Sequence, residues 1–513
     1  MGLEVGKMQN AFQVVVIGGG ATGTGILRDL ALRGISCLLV EKEGLASGTS
    51  GRFHGLLHSG ARYAVNDPHA AAECARENAI LKRVAKEFVT DVGGYFVATS
   101  EVNDDYINKW VAQCSAAGID IQEMPVKEVL KKEPFLNPTI KRAFLVPDAA
   151  IDGFKLVEAN VRSAIRLGAK VKTYTRVTGL EIKNGSVQGV YLKNVISGQE
   201  EHVPCQVVVN AAGPWADNIA ALAGIKLDLI HDKGTLLVFS HRICNKVINQ
   251  LRPPGDGDIF VPHGNVTIFG TTSVIVNAPD DYQVTSSEVR KLLAEGERIF
   301  PGLRERRLIR AFAGVRPIYQ SNSVETGRQA TRDFSVIDHE QADGLSGLIS
   351  AVGGKLSTFR LMAQVAADIA CKKLGVEQNC LTDVIPYDSY EISNKKKANN
   401  YLCQCEMVTT DMLVAAVKGK KYFTFNDVRR LTRLGMGPCQ GTFCTFKAAG
   451  YYHQKAILTG SKAANLLKEH IQERWKGNRF VLWGDQAQEM EITRSIYLGT
   501  LNLARLESEQ NGM

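Results

Sequence analysis

The stretch Gln13-Val14-Val15-Val16-Ile17, followed at once by Gly18-Gly19-Gly20-Ala21-Thr22-Gly23, constrains this chain more than any other. An apolar run of that kind makes a buried strand, and the glycines turn it into a helix expected to reach about Arg33. A second apolar run, Ser36 to Val40, ends in Glu41. A bare G-x-G-x-x-G is a weak signal, but between a buried strand and a helix it marks a dinucleotide site. Gly18 permits the tight turn, Gly20 lets the backbone approach a pyrophosphate, and Gly23 lets the helix lie close on the sheet. The helix start offers free N–H groups and partial positive charge to phosphates. Glu41, 18 residues beyond Gly23, is placed for ribose hydroxyls.

Two further stretches bear on which dinucleotide this is. Val207-Val208-Val209-Asn210-Ala211-Ala212-Gly213 reads as another buried strand ending in small residues. Leu348 to Val352 leads into Gly353-Gly354-Lys355-Leu356-Ser357, which opens a helix expected to extend to about Lys373. A helix N-terminus there faces a flavin ring well, because it favours negative charge on the reduced ring. Three strand-to-small-residue sites in this order resemble the glutathione-reductase-like FAD-binding fold. More narrowly they resemble its D-amino-acid-oxidase type, which implies an α/β core with an inserted α+β substrate domain. Asn184-Gly185, between two strand-like runs, predicts a type I′ hairpin.

The chain of 513 residues has room for roughly two or three domains. Its 45% hydrophobic and 22% charged residues are ordinary for a globular protein, and the run Val14–Ile17 is far too short to cross a bilayer. No secretory signal is expected, and the protein is expected to be soluble or peripheral. The net charge of +8 suits an anionic substrate or membrane surface, but equally a solvated basic exterior. No nucleic-acid partner is expected. The organisation expected is an FAD-dependent core over 1–375, a surface linker over 376–400 containing Lys395-Lys396-Lys397, a cysteine-bearing domain over 401–455, and a helical segment over 456–513.

Of the 11 cysteines, Cys37, Cys74, Cys114, Cys205, Cys244, Cys371 and Cys380 are scattered and read as buried apolar residues. Cys403-Gln404-Cys405 and Cys439-x4-Cys444 are separated by 33 residues and read as one metal site. Zinc favours wider C-x2–4-C arms, whereas four thiolates suit a [2Fe-2S] cluster; zinc and free thiols remain as alternatives. The segment, with Arg430-Leu431-Thr432-Arg433-Leu434-Gly435-Met436-Gly437 before the third cysteine, resembles the bacterioferritin-associated-ferredoxin-like (BFD-like) [2Fe-2S] domain, a small helical domain. Arg429, Arg430 and Arg433 read as offsetting cluster charge, docking a partner, or forming a solvated basic face.

The polar run Thr49-Ser50-Gly51-Arg52-Phe53-His54-Gly55-Leu56-Leu57-His58-Ser59-Gly60-Ala61-Arg62-Tyr63 is suited to wrap a pyrophosphate and place side chains at a flavin. Together with Ala313-Gly314-Val315-Arg316-Pro317, Thr331-Arg332-Asp333, Gly353 to Arg360, Glu473-Arg474-Trp475-Lys476-Gly477 and Trp483-Gly484-Asp485, it resembles the FAD-dependent glycerol-3-phosphate dehydrogenases. Within them it resembles the anaerobic type whose catalytic chain carries the ferredoxin-like appendage, from Val14 to about Arg494. The resemblance implies FAD contacts from Gly18, Gly20, Ala21, Thr22, Gly23, Glu41 and Lys42, and from Thr49, Ser50, His54 and Gly55. Val177, Ala212, Gly213, Gly354, Lys355, Leu356 and Ser357 complete that set, and Cys403, Cys405, Cys439 and Cys444 hold the cluster. Arg62, Arg316 and Arg332 then bind the substrate phosphate, for which planar guanidinium donors are suited. Lys355 orients the glycerol hydroxyls or stabilises charge on the flavin.

Oxidation of glycerol 3-phosphate to dihydroxyacetone phosphate needs a general base for the C2 hydroxyl proton as hydride leaves C2. Single-chain relatives have a histidine after a Lys-Gly-Ser/Thr turn, but this chain reads Lys233-Gly234-Thr235-Leu236. His58 is the leading candidate, with His54 and His231 behind it; a structural role is open for each. The resemblance further implies electron flow from FAD to [2Fe-2S], then to a second flavoprotein-type subunit, then to an iron–sulfur membrane-anchor subunit, and finally to the quinone pool. It places the protein in the cytoplasm, attached through those partners to the inner membrane. A 2-hydroxy acid or amino acid as substrate, or a non-catalytic electron-transfer role, are the other readings.

Overall fold

The structure, a computed structural model, describes residues 11–319, 333–388, 400–500 and Leu503. Phe12–Ile17 is the central strand of an eight-stranded sheet. Cys37–Val40 and then Lys170–Lys172 run parallel on one side, and the C-terminal part of Glu200–Asn210, then Leu348–Gly353, on the other. Their near-continuous Val/Ile/Leu content follows from burial on both faces. The N-terminal part of Glu200–Asn210 instead pairs antiparallel with Ser186–Asn194, which pairs with Thr175–Lys183. The turn between those last two has φ of 51° at Asn184 and 72° at Gly185, as a type I′ hairpin requires.

Helix Ala21–Leu32 packs on the sheet between Gly153–Arg166 and Phe359–Leu374. A Cβ at Gly25 would lie 3.0 Å from the Phe359 ring and 3.1 Å from Ala363 Cβ, so glycine sets how closely two of these helices approach. Val15, Ile17 and Val40 on the opposite sheet face are covered by Val177, Val190 and Leu192 of the hairpin strands. The two helix starts thereby come to the same end of the sheet, beyond the carboxyl ends of parallel strands, where open α/β sheets bind ligands.

Residues 94–146 and 229–319 supply a second sheet of nine strands, antiparallel except where Val247–Gln250 runs with Gly94–Thr99. The inserted domain is thus assembled from two chain segments on either side of the hairpin. Its core includes Phe260 stacked on Phe269, with centroids 3.9 Å apart. Long strands Leu229–Phe239 and Leu308–Tyr319 pair along their length and present their face to the nucleotide domain.

After Leu374 the chain was expected to run as a surface linker. Residues 376–388 instead pack on the core: Tyr387 Oη donates to Asn160 Oδ1 (2.8 Å), its ring lies against Arg28, and Thr382 Oγ1 accepts from Arg360. Lys395–Lys397 lie outside the described residues. From Tyr401 a short ribbon and helices Thr410–Val417, Phe425–Thr432, Cys444–Gln454 and Gly460–Asn478 form a compact domain around Leu413, Phe425, Val428 and Tyr452. Asp485–Thr500 adds a further helix, with Tyr497 against Phe446. No helix among the described residues is long and apolar enough to cross a membrane.

This domain is seated on the core. Tyr174 Oη donates to Asp427, Asn265 Nδ2 donates to Cys405 O (3.4 Å), and Arg310 pairs with Glu473 at 2.7 Å. Gly44 allows the approach, since a Cβ there would fall 1.9 Å from Asp427 Oδ1 and 2.6 Å from Arg430 Nη2. Gly44→Ala should therefore weaken the docking by about 1–3 kcal/mol. Limited proteolysis should separate the two domains faster in this variant, with a lower Tm; a wild-type digestion pattern would count against this interface.

Candidate functional site

The glycine turn is packed to contact on both sides. Gly18 has φ of 115°, and a Cβ there would lie 2.4 Å from Ala211 O; one at Gly23 would lie 2.0 Å from Gly18 O. Only glycine fits either position. Ser50 Oγ accepts from Ala21 N at 2.9 Å, which brings the 49–55 segment over the helix start, and a Cβ at Gly20 would sit 3.0 Å from that same oxygen. Glu41 accepts from Gly19 N (2.6 Å) and Glu43 N (2.8 Å), while burial pushes its carboxyl pKa up. Lys42 lies over the Trp215 ring at 3.9 Å, and Thr22 Oγ1 reaches Met362 Sδ at 3.9 Å. Ala212 N donates to Asn210 Oδ1, and Gly213 (φ 59°) opens onto free space where a Cβ would point.

A dinucleotide fits this end of the sheet. Ser50 Oγ takes the Ala21 N–H at the helix start, Glu41 is held by the turn beside it, and small residues 211–213 leave room. Val177 does not face it as a polar contact; it packs beneath, in the apolar cluster with Val40 and Ile17.

The second helix start lies across the sheet end. Gly353 and Gly354 (φ 77° and 73°) fold the chain against Asp333–Phe334, where a Cβ at Gly354 would meet Met362 Sδ at 2.5 Å. Leu356–Thr358 forms a 3-10 turn that runs into Phe359–Leu374. Leu356 packs into the apolar cluster with Leu57 and Phe359, and Ser357 Oγ accepts from His58 N at 3.1 Å. Lys355 Nζ lies 4.7 Å from the Tyr63 ring, whose other neighbour is the His58 imidazole with centroids 5.5 Å apart. His54 packs edge-on to His58 at 5.7 Å.

Two arginines converge here on separate supports. Arg62 donates to Asp258 (2.6 Å) and Gly255 O (3.2 Å), and Asp258 also holds Arg252. Arg316 lies across the strand Leu229–Phe239, donating to Thr271 Oγ1 (3.0 Å) and Thr272 O (2.8 Å), with Asp232 Oδ2 at 3.1 Å. A Cβ at Gly234 would sit 3.0 Å from its guanidinium, so glycine is needed beneath it. Opposite, a Cβ at Gly314 would meet Arg52 O at 2.5 Å, and Thr49 Oγ1 donates to Val315 O at 2.5 Å. The 49–55 segment and the substrate sheet are thereby pressed together. Arg332 lies outside the described residues.

Burial, reinforced by neighbouring positive charge, keeps these histidines neutral. His54 is depressed to about 3 by burial and by Arg62 and Arg316. His58 falls well below its usual value by burial, with His54, Arg62 and Lys355 adding to it. His263, which donates Nε2–H to His54 O (3.0 Å), drops to about 4 for want of solvent and because of Arg433. His54 Nδ1 accepts from Leu56 N at 3.1 Å, so its proton sits on Nε2 and that ring presents a donor, not a base. His231 sits elsewhere, with Nε2 on Pro214 O at 2.8 Å. Leu236, the position at which the resemblance led us to look for a histidine, is buried beside Phe312 on the sheet face that carries Gly234.

Glu288, Asp258 and Asp148 escaped the sequence reading. Glu288 accepts from Lys233, Thr235, Thr272 and Thr285, which holds its carboxyl below the usual range against the upward push of burial. The capping-box spacing Thr285-x-x-Glu288 was a legible signal for it. Asp148 accepts from Ser59 N and Asn249, pinning the loop before Arg62; nothing local in the sequence marks it.

The four clustered cysteines come together as a chain of sulfurs. Cys444 hydrogen-bonds to Cys403 and to Cys439, and Cys439 lies 4.0 Å from Cys405. Backbone N–H groups of Gly435 and Glu406 point at Cys403, and those of Gly441 and Thr442 at Cys439. The expected solvated face of Arg429, Arg430 and Arg433 is not there. Arg429 is buried, Arg430 pairs with Asp427 at 2.8 Å, and Arg433 pairs with Glu406 at 2.7 Å. All three point into the seam between the two domains.

Residues 13–368 match the FAD dependent oxidoreductase family, and residues 401–452 match the BFD-like [2Fe-2S] binding domain. The chain is 39% identical to the A-subunit of the anaerobic glycerol-3-phosphate dehydrogenase of Escherichia coli strain K12, over 97% of each chain. It belongs to the anaerobic glycerol-3-phosphate dehydrogenase A-subunit family. Another relative is the A1-subunit of the Haloferax volcanii enzyme, 37% identical over 96% of this chain and 91% of that one. Among solved structures, the fold resembles the FAD-complexed glycerol-3-phosphate dehydrogenase from Bacillus halodurans (TM-score 0.57, 21% identity, 98% of this chain and 89% of that one). It also resembles glycine oxidase from Geobacillus kaustophilus (TM-score 0.60, 20% identity, 74% of this chain and 100% of that one). The cofactors of this member of the family are FAD and a [2Fe-2S] cluster. Zinc and free thiols are set aside by the domain match.

The neutral histidines give a pH signature. Below about 6.5 the unfolded chain takes up protons that the folded chain refuses, so stability is full above that pH. It is lost as pH falls towards about 4 for His263 and about 3 for His54, by up to about 1.4 kcal/mol per pH unit for each. Denaturant titrations of FAD-saturated protein at pH 7.5, 6.5 and 5.5 should show this fall, and His263→Gln should flatten the slope by about one proton. An unchanged slope in that variant would contradict a neutral His263.

Proposed function

We propose that the protein oxidises sn-glycerol 3-phosphate to dihydroxyacetone phosphate at the pocket formed by Arg62, Arg316, Lys355, His54 and His58. The observation that carries this reading is the convergence of two fixed guanidinium groups beside a helix start, on opposite supports and with neutral histidines between them. Arg62 and Arg316 are suited to clamp the phosphate dianion through bidentate bonds. Lys355 is placed to hold a glycerol hydroxyl. His58, neutral and next to both Lys355 and Arg62, is proposed to accept the C2 hydroxyl proton, with His54 offering Nε2–H. Arg332 is proposed as a further phosphate ligand. When bound, FAD supplies the two-electron acceptor and the [2Fe-2S] cluster a one-electron outlet.

Gly18, Gly20, Ala21, Thr22 and Gly23 are proposed to cradle the pyrophosphate with Thr49 and Ser50, and Glu41 to hold the ribose. Cys403, Cys405, Cys439 and Cys444 are the proposed cluster ligands. The Escherichia coli relative is named as one subunit of its enzyme, and so as part of an assembly. On that ground we place this chain with a second flavoprotein-type subunit, joined by an iron–sulfur membrane-anchor subunit. The assembly would deliver electrons to quinone from the cytoplasmic side of the inner membrane.

Anaerobic addition of glycerol 3-phosphate to holoprotein should bleach the flavin, while 2-hydroxyglutarate and D-amino acids should not. Arg62→Ala and Arg316→Ala should each lower kcat/KM for glycerol 3-phosphate about 10- to 100-fold, as expected for charge-assisted bonds, and reduce the preference for it over glycerol. Bleaching by a D-amino acid but not by glycerol 3-phosphate would transfer the site to the alternative substrate class. Cys439→Ser should abolish the visible absorption of the cluster yet leave anaerobic flavin bleaching within about twofold, since cysteine ligation and substrate binding use separate residues.

A further inference from the structure

The helix Pro68–Val84 follows directly on the loop that carries Arg62, and two devices fix its start. Asp67 caps it by accepting from Ala70 N at 3.1 Å, and Pro68 occupies the first helical position. His69 and Glu73, four residues apart, therefore share one face of its first turns. Asp333, at the entry to the strand Phe334–Asp338, lies against that face. One ligand atom from each of the three lies within 4.8 Å of the other two.

Glu73 is the decisive residue. It is only 7% exposed, and its Oε2 is enclosed with no hydrogen-bond partner. An ionised carboxylate in that condition carries a desolvation cost with nothing to offset it. Burial and the negative charge of Asp333 push its pKa up, against a smaller downward pull from His69, Lys355 and Arg76. None of those three cations forms an ion pair with it among the described residues.

The other two residues are spaced for an ion rather than for each other. Asp333 Oδ1 accepts from Phe334 N at 2.8 Å, while its Oδ2 stands 3.6 Å from His69 Nδ1. That is too long for a direct hydrogen bond, but it is the spacing of two ligands each held at about 2.1 Å by one ion. An imidazole beside two carboxylates also selects among cations. Zn2+ takes nitrogen and oxygen together, whereas Ca2+ and Mg2+ are bound through oxygen. Three protein ligands leave a fourth position for water.

We propose that His69, Glu73 and Asp333 bind one divalent transition-metal ion of the Zn2+ class, which clasps the helix Pro68–Val84 to the glycine turn before Lys355. The link to that turn is through the backbone, since Asp333 O accepts from Gly354 N at 3.1 Å. The site shares no residue with the four cysteines, the dinucleotide cradle or the phosphate-binding arginines.

The test uses untagged holoprotein, loaded with FAD and cluster and passed over a chelating resin, titrated calorimetrically with Zn2+. One equivalent should bind and raise the Tm. His69→Gln and Glu73→Gln should each weaken that binding at least about tenfold and cancel the rise in Tm. His69 is exposed, so its variant keeps the fold, and unchanged flavin and cluster absorption verify this for both variants. Mg2+ and Ca2+ at about a hundredfold excess should not displace the bound ion. The proposal is overturned if Zn2+ does not bind, or if its affinity survives either substitution. Displacement by Mg2+ or Ca2+, or binding that leaves the Tm unchanged, overturns it equally.

Discussion

The contact on which the rest of this protein depends is made by atoms that leave no room for a side chain. Gly18, Gly23 and Ala211 meet where the central strand turns into its helix, and any Cβ at either glycine would fall inside another residue's carbonyl. That packing fixes the start of the helix Ala21–Leu32 directly over the ends of two parallel strands. The helix then fixes Phe359–Leu374 through Gly25, so the second helix start, with Gly354, Lys355 and Ser357, arrives at the same sheet end. One steric constraint therefore positions both ends of a long cofactor.

The substrate side is built on electrostatics, with each cation anchored before it is used. Arg62 leans on Asp258 and Arg316 on Asp232, so neither guanidinium depends on substrate to find its geometry. The price is a region of net positive potential, and His54, His58 and His263 sit within it. His58 is buried and His54 and His263 half-buried there, and the loss of solvent with the nearby cations keeps all three neutral. Leu236, two residues from Gly234, is a buried apolar residue on the Arg316 face. The loop that carries His58 is pinned by Ser357 and by Asp148 through Ser59.

Most of the flavin half was legible in the sequence because its signals are local. Strand, glycine turn and acid at Glu41 occur within 29 residues, and Asn184-Gly185 dictates its own turn. The four cysteines were legible for the same reason. Supports made by distant residues were not. Asp258 holding Arg62 joins positions 196 apart, and Thr49 on Val315 joins positions 266 apart. Residues 376–388 read as linker because their apolar content thins, yet Tyr387 and Thr382 bind side chains of the core that no periodicity announces.

The arginines of the cysteine-bearing domain show why a surface cannot be assigned from one domain's sequence. Arg429, Arg430 and Arg433 recur at the spacing of a helix face, and such a face is exposed unless something covers it. What covers it is the flavin core, admitted by the missing side chain at Gly44 and held by Tyr174 and Asp152. Docking then turns charge that would have been solvated into charge that must be balanced inside the molecule. The hairpin residues His263 and Asn265 follow the same logic. One bonds the carbonyl of His54 in the flavin-facing loop, and the other bonds the carbonyl of Cys405. Two residues apart in sequence, they join the loop of His54 to the loop of Cys405 through backbone carbonyls.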